Sequence, residues 1–175
     1  MGRMPKVVLI GFMGSGKSTV AARLGELLHI PVCEMDEEIV RLSKHSSIPE
    51  IFEKHGEPFF RDLESKVARS LADKSDIVIS TGGGVIGRSE NMEHLASHGG
   101  IVIFLRSTFE TVSQRAGEID TRPLFRDGAR ARELFAARAP LYAQWASITI
   151  DTDDRTVSDL CAEIVSRIQS VSCPP

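Results

Sequence analysis

An α/β fold, with a five-stranded parallel sheet covered by helices on both faces, is predicted by three features of the sequence. Five short apolar runs recur, at 7–10, 31–33, 77–80, 101–105 and 147–150. Longer stretches with helical spacing of apolar residues separate them, the alternation expected when crossover helices join parallel strands. The runs are almost unbroken by polar residues, as burial on both faces of a sheet demands. A length of 175 residues suits one domain, 1–175, with a full core. In such sheets ligands collect beyond the carboxyl ends of the strands, so the residues just after each run matter most.

The first run leads directly into Gly11-Phe12-Met13-Gly14-Ser15-Gly16-Lys17-Ser18, and a helical pattern covers 17–28 from Lys17 through Thr19 onward. Strand, glycine loop and helix in that order make the phosphate-binding P-loop. The glycines let backbone N–H groups turn inward around a phosphate, and the helix points its positive dipole end at the same place. Lys17 is placed to reach the β- and γ-phosphates, and the Ser18 hydroxyl to ligate Mg²⁺. A plain glycine turn with a surface lysine would not need the strand before it or the helix after it.

The second run ends at Glu34-Met35-Asp36, two carboxylates on alternate residues that can face the same loop. One carboxylate near a metal and one near an acceptor hydroxyl would suit phosphoryl transfer, while acidic residues also cap helices, so both roles stay open for Asp36. Helices are expected at 36–44 and 48–55. Glu57-Pro58-Phe59-Phe60-Arg61 opens another over 58–73, with Arg61 in the first turn, where the helix dipole gives a positive charge nothing. The third run leaves through Thr81-Gly82-Gly83-Gly84, and three glycines there point to close approach of a ligand to the main chain. A helix over 89–98 and the fourth run follow. Next comes a helix at 108–116 carrying Arg115, then a polar segment at about 117–128, a candidate lid. The helix at 128–145 carries Arg138 and Pro140, and Pro140 should kink or restart it. Tyr142 and Trp145 read as packing residues. The fifth run and a helix at 156–169 complete the chain.

Charge narrows the partners. A net charge of −3 argues against general affinity for nucleic acid or anionic membrane, and no apolar run approaches transmembrane length. Arginine is unevenly spread: no lysine follows Lys74, whereas Arg115, Arg122, Arg126, Arg130, Arg132 and Arg138 cluster. Rigid guanidinium forks suit phosphate and carboxylate, so the cluster can face an anion. The three cysteines, at 33, 161 and 173, form no C-x-x-C pair, which reads as structural thiols in a reducing compartment. The opening residues carry no signal-like apolar region, so a cytosolic location is expected. His94 and His98 lie four apart without H-E-x-x-H, and a solvated helix face accounts for them better than zinc.

Taken together, Gly11 to Ser18, Asp36, Phe60-Arg61-x-x-Glu64, Gly82-Gly83-Gly84, Arg122-Pro123-Leu124 and Arg138-Ala139-Pro140-Leu141-Tyr142 resemble the shikimate kinases in order and spacing over nearly the whole chain. The resemblance implies a P-loop, nucleoside-monophosphate-kinase-like fold with strand order 2-3-1-4-5. It also implies transfer of the ATP γ-phosphate to the 3-hydroxyl of shikimate, with Mg²⁺ as cofactor. By the match, Asp36 would bind the acceptor and take its proton, and Arg61 and Arg138 would clamp the carboxylate, with Gly82, Gly83 and Gly84 lining the pocket. ATP would lie on Gly14, Ser15, Gly16, Lys17, Ser18 and Thr19, with Arg115 and Arg155 near adenine. Lys17 and the lid residue Arg122 would act on the phosphates. The family usually has Asp-x-Asp where this chain has Glu34-Met35-Asp36; the longer Glu34 would serve the metal, directly or through water, beside Ser18. A cytoplasmic monomer working on the small molecules shikimate and ATP is the resulting expectation.

Two other readings explain less. A kinase for another polyol acid such as gluconate leaves the paired arginines and the triple glycine without a purpose. A GTP-driven switch would need N-K-x-D after a strand and D-x-x-G, and neither string occurs.

Overall fold

The computed structural model describes residues 4–117 and 127–172. In chain order its elements are β1 (Lys6–Ile10), α1 (Lys17–Leu28), β2 (Val32–Glu34), α2 (Met35–Ser43) and α3 (Ile48–Ser70). They continue with β3 (Ile77–Ser80), a single 3-10 turn (Val85–Gly87), α4 (Ser89–Ala96), β4 (Ile101–Arg106), α5 (Phe109–Gly117), α6 (Gly128–Trp145), β5 (Ile148–Asp151) and α7 (Val157–Ser172). The five strands run parallel in the order β2-β3-β1-β4-β5, as the resemblance implied.

Strand β1 sits at the centre because nothing in it needs water: all five of its residues are buried. Val8 pairs with Ile79 of β3 on one side and with Val102 of β4 on the other. Alternate side chains then feed two cores. Val8, Ile10, Val102 and Phe104 pack with Met35, Ile39, Leu63, Met92, Val112 and Tyr142 from α2 to α6. Val7, Leu9, Ile103 and Leu105 pack with Val20, Leu24, Leu160 and Ile164 from α1 and α7. That division is the three-layer arrangement. Because the chain leaves β1 toward β2 and β3 and later returns to β4 on the opposite side, a crevice opens at the carboxyl ends of the strands.

Two expectations need correction. The helices expected at 48–55 and 58–73 form one span broken only by Gly56, which sits at φ 77°, ψ 176°. That region is open almost only to glycine, so the break falls at Gly56, and Pro58 stands in the first turn beyond it. Of the kink or restart expected at Pro140, the restart does not occur: α6 continues through it. Burial of Ala131 and Tyr142 anchors the helix on both sides of the proline, which outweighs the one backbone hydrogen bond Pro140 cannot donate. The thiols behave as structural groups. Burial pushes Cys33 up to about 11 and also raises Cys161; Cys173 lies outside the described residues.

Candidate active site

A cleft of about 1340 Å³ lies at the carboxyl ends of β1, β2 and β3. One wall is the glycine loop between β1 and α1. Gly14 and Gly16 adopt φ 84° and 90°, a left-handed conformation that turns successive N–H groups to one side and excludes most side chains. Ser15 is buried, and its Oγ has no hydrogen-bond partner among the described residues. Lys17, also buried, donates from Nζ to the carbonyl oxygens of Gly11 at 2.8 Å and Phe12 at 3.0 Å. The ammonium is therefore held at the loop rather than in bulk water. Arg115 reaches over from α5, its Nη1 donating to the Gly14 carbonyl at 3.3 Å.

Beside the loop, Ser18 Oγ donates to Glu34 Oε2 at 3.1 Å. Both atoms are oxygen donors, the kind a hard divalent cation takes. Ser18 and Glu34 thus fit a Mg²⁺ site. Asp36, two residues after Glu34, lies in the first turn of α2 and lines the same cleft.

The opposite wall carries cationic groups of another kind. After Gly56 the second half of α3 presents Arg61, whose Nη1 donates to Glu64 Oε2 at 2.9 Å. Its Nε and Nη2 donate to Glu57 Oε1 at 3.2 and 3.1 Å. The Glu64 side chain is only 1% exposed. Burial raises its pKa, and the adjoining Arg61 offsets only part of that rise. Burial works against the charge of Arg61, but Glu64 and Glu57 outweigh it and hold the guanidinium protonated.

Arg138 enters from α6 and lies near both Glu64 and Tyr142. Tyr142 is more than packing: its hydroxyl donates to the Gly83 carbonyl while its ring stacks on Phe104. Burial raises its pKa, so it remains a donor. The glycine triplet is explained by these neighbours. A Cβ on Gly84 would lie 2.5 Å from both Nη atoms of Arg61, and one on Gly82 would lie 2.9 Å from Asp36 Oδ1. The close approach foreseen there is made by the side chains of the site itself.

Gly14, Gly16, Lys17, Ser18, Thr19, Glu34, Asp36, Arg61, Gly82, Gly83, Arg115 and Arg138 all line this one cleft. Ser15 and Gly84 lie just behind it, in contact with lining residues. Arg155 is not among the lining residues: its Nη1 donates to Glu163 Oε2 at 2.6 Å, and its Nη2 to the Asp159 carbonyl at 3.2 Å. Arg122 and most of the candidate lid lie outside the described residues. Sequence reasoning gave no role to Glu57, although its i, i+4 spacing to Arg61 was a local signal, and it read Tyr142 as packing alone, because only the folded chain puts its hydroxyl against Gly83.

Comparison with known proteins agrees with this geometry. A family model described as shikimate kinase matches residues 13–169. A shikimate kinase of Pseudomonas syringae pv. syringae is 39% identical over 175 aligned positions, covering 98% of this chain and 99% of its own. One from Persephonella marina is 39% identical, with 95% and 100% covered. Among solved structures, a shikimate kinase from Acinetobacter baumannii in complex with shikimate superposes with a TM-score of 0.88 at 37% identity, covering 96% of this chain and 94% of that one. The enzyme from Aquifex aeolicus superposes at 0.81 with 35% identity, over 97% and 99% of the two chains.

Proposed function

The chain belongs to the shikimate kinase family, and from that premise we propose how its residues divide the work. The protein is an ATP-dependent phosphotransferase of aromatic amino-acid biosynthesis that moves the γ-phosphate of ATP to the 3-hydroxyl of shikimate, giving shikimate 3-phosphate and ADP. Phosphoryl transfer of this kind needs little covalent chemistry from the protein; catalysis is positioning plus stabilisation of spread-out negative charge. The glycine loop and Lys17 hold the β- and γ-phosphates through backbone N–H groups and the ammonium. Arg61 and Arg138 bind the acceptor's carboxylate, and the main chain at Gly82, Gly83 and Gly84 forms the floor beneath it.

Asp36 then orients the attacking hydroxyl and receives its proton as the new P–O bond forms. Ser18 and Glu34 would hold Mg²⁺, which supplies charge neutralisation on the phosphoryl oxygens when bound. Arg115 and Arg155 belong to the adenine side in this reading, and Arg122 meets the phosphates from the lid. One domain, acting as a cytoplasmic monomer on small molecules, completes it; among the described residues no helix is long and apolar enough to cross a membrane.

The observation that carries the reading is that phosphate-binding and carboxylate-binding groups share one cleft, with Asp36 lining it too. An ADP-release assay comparing shikimate, gluconate and nucleoside monophosphates tests the acceptor. Asp36→Asn should lower turnover on shikimate by about 100-fold or more with little change in the Kd for ATP. Retained turnover would remove Asp36 from the proton-accepting role.

A further inference from the structure

Arg61 presents two edges, and in this structure both carry carboxylates that differ sharply in how firmly they are held. Nη1 meets Glu64 at 2.9 Å, and the Glu64 side chain is 1% exposed. The Nε and Nη2 atoms both point at one oxygen of Glu57, at 3.2 and 3.1 Å, and the Glu57 side chain is 63% exposed. Freeing Glu64 would strand a buried charge, whereas Glu57 can exchange its partner for water at little cost. The Nε and Nη2 edge is also the one that a guanidinium offers to an incoming carboxylate in a two-pronged bond, and Glu57 and Arg61 line the same cleft.

We propose that Glu57 is a resident competitor for the acceptor's carboxylate: the two exchange on the Nε and Nη2 edge of Arg61, so that Glu57 lowers acceptor affinity. This rests on the reading that Arg61 binds the acceptor. The exchange replaces one carboxylate by another beside Arg61, Arg138, Glu64 and Asp36, and so leaves the charge on that edge unchanged. The backbone prepares this. Gly56, at φ 77°, resets the chain so that Glu57 begins the second half of α3 and reaches Arg61 from four residues earlier, the favourable order for an acid and a base on one helix.

The test is calorimetric binding of shikimate to the full chain and to Glu57→Gln, Glu57→Ala and Arg61→Ala. Removal of the competitor should tighten shikimate binding about two- to fivefold in both Glu57 variants, the range an exposed ion pair allows, with the Kd for ATP unmoved. Unchanged or weaker shikimate binding in the two Glu57 variants would overturn the proposal, since weaker binding is what a prop for Arg61 would give. Arg61→Ala separates the two levels of inference. If it leaves shikimate affinity unchanged, the reading of Arg61 as the acceptor clamp fails and the proposal with it. If it weakens binding while the Glu57 variants do not tighten it, only the competitor role fails. A crystal structure of the shikimate complex supplies a second readout: Glu57 is expected beyond 4 Å from Arg61, and a retained contact would overturn the exchange.

Discussion

At the level of single residues, the site works by placing charges where water is scarce. Glu64 is the clearest case: burial raises its pKa more than Arg61 lowers it. Its folded pKa thus lies above the unfolded value of 4.5, so protonation favours the fold. The contribution is fully present below about pH 4.5 and is lost as pH rises through the elevated folded pKa. Glu64→Gln should therefore match the parent in Tm near pH 4 and gain on it as pH increases, which thermal melts across pH 4 to 8 will read. A gap that widens the other way would mean that the ion pair with Arg61 outweighs burial. Arg61 had a legible oddity in the sequence, a cation in the first turn of a helix; its reason is the buried carboxylate one turn later and the cleft in front of it.

At the level of elements, α3 carries the acceptor wall, and its break sets the direction of that wall. Ser47 caps the first half, its side chain accepting from the Glu50 N–H at 3.3 Å, and Gly56 separates the halves. A Cβ at Gly56 would find room, with Pro58 Cδ no nearer than 3.7 Å. The penalty of a side chain there comes from backbone conformation alone. Gly56→Ala is expected to cost ~2 kcal/mol, in the range for a residue forced into a glycine-only region. It should weaken shikimate binding more than ATP binding, because Glu57 and Arg61 follow directly while the P-loop is on another element. Denaturant melts and calorimetry with each ligand check both parts. Equal losses for the two ligands would mean that the break does not aim the acceptor wall.

For the whole molecule, the central strand is tied down at the end of the sheet away from the cleft. Lys6, at the start of β1 and 1% exposed, donates from Nζ to the carbonyls of Leu71 at 3.3 Å, Ala72 at 2.6 Å and His94 at 3.3 Å. One ammonium thereby ties the central strand to the ends of α3 and α4, adding a charged donor to carbonyls that also accept from the Lys74 N–H and from Ser97. Burial lowers its pKa, opposed in part by Asp73. Lys6→Met should destabilise the fold by about 1–3 kcal/mol through loss of the three hydrogen bonds donated by the buried ammonium. Its kcat should be unchanged at temperatures where both proteins are folded, because the cleft lies at the far ends of the strands. Urea unfolding and the coupled assay measure the two effects, and a large loss of kcat would show that the ends are mechanically linked.

Where the chain repeats short-range rules, its amino acids were enough. The glycine loop between an apolar run and a helix, the two-sided burial of β1 and the alternation of strand with helix are all local patterns, and local patterns fix the phosphate wall of the cleft and the class of sheet. The acceptor wall is different. Tyr142 read as a packing ring, and Glu57 and Lys6 had no role assigned from the sequence. Glu57 finds Arg61 four residues on, in the same half of its helix, whereas Tyr142 finds Gly83 at a distance of 59 residues and Lys6 finds Leu71 at 65. The last two pairings exist only once distant segments are packed, since burial, which turns an ordinary side chain into a directed donor or a displaced charge, is a property of the assembled layers and of no stretch of sequence alone.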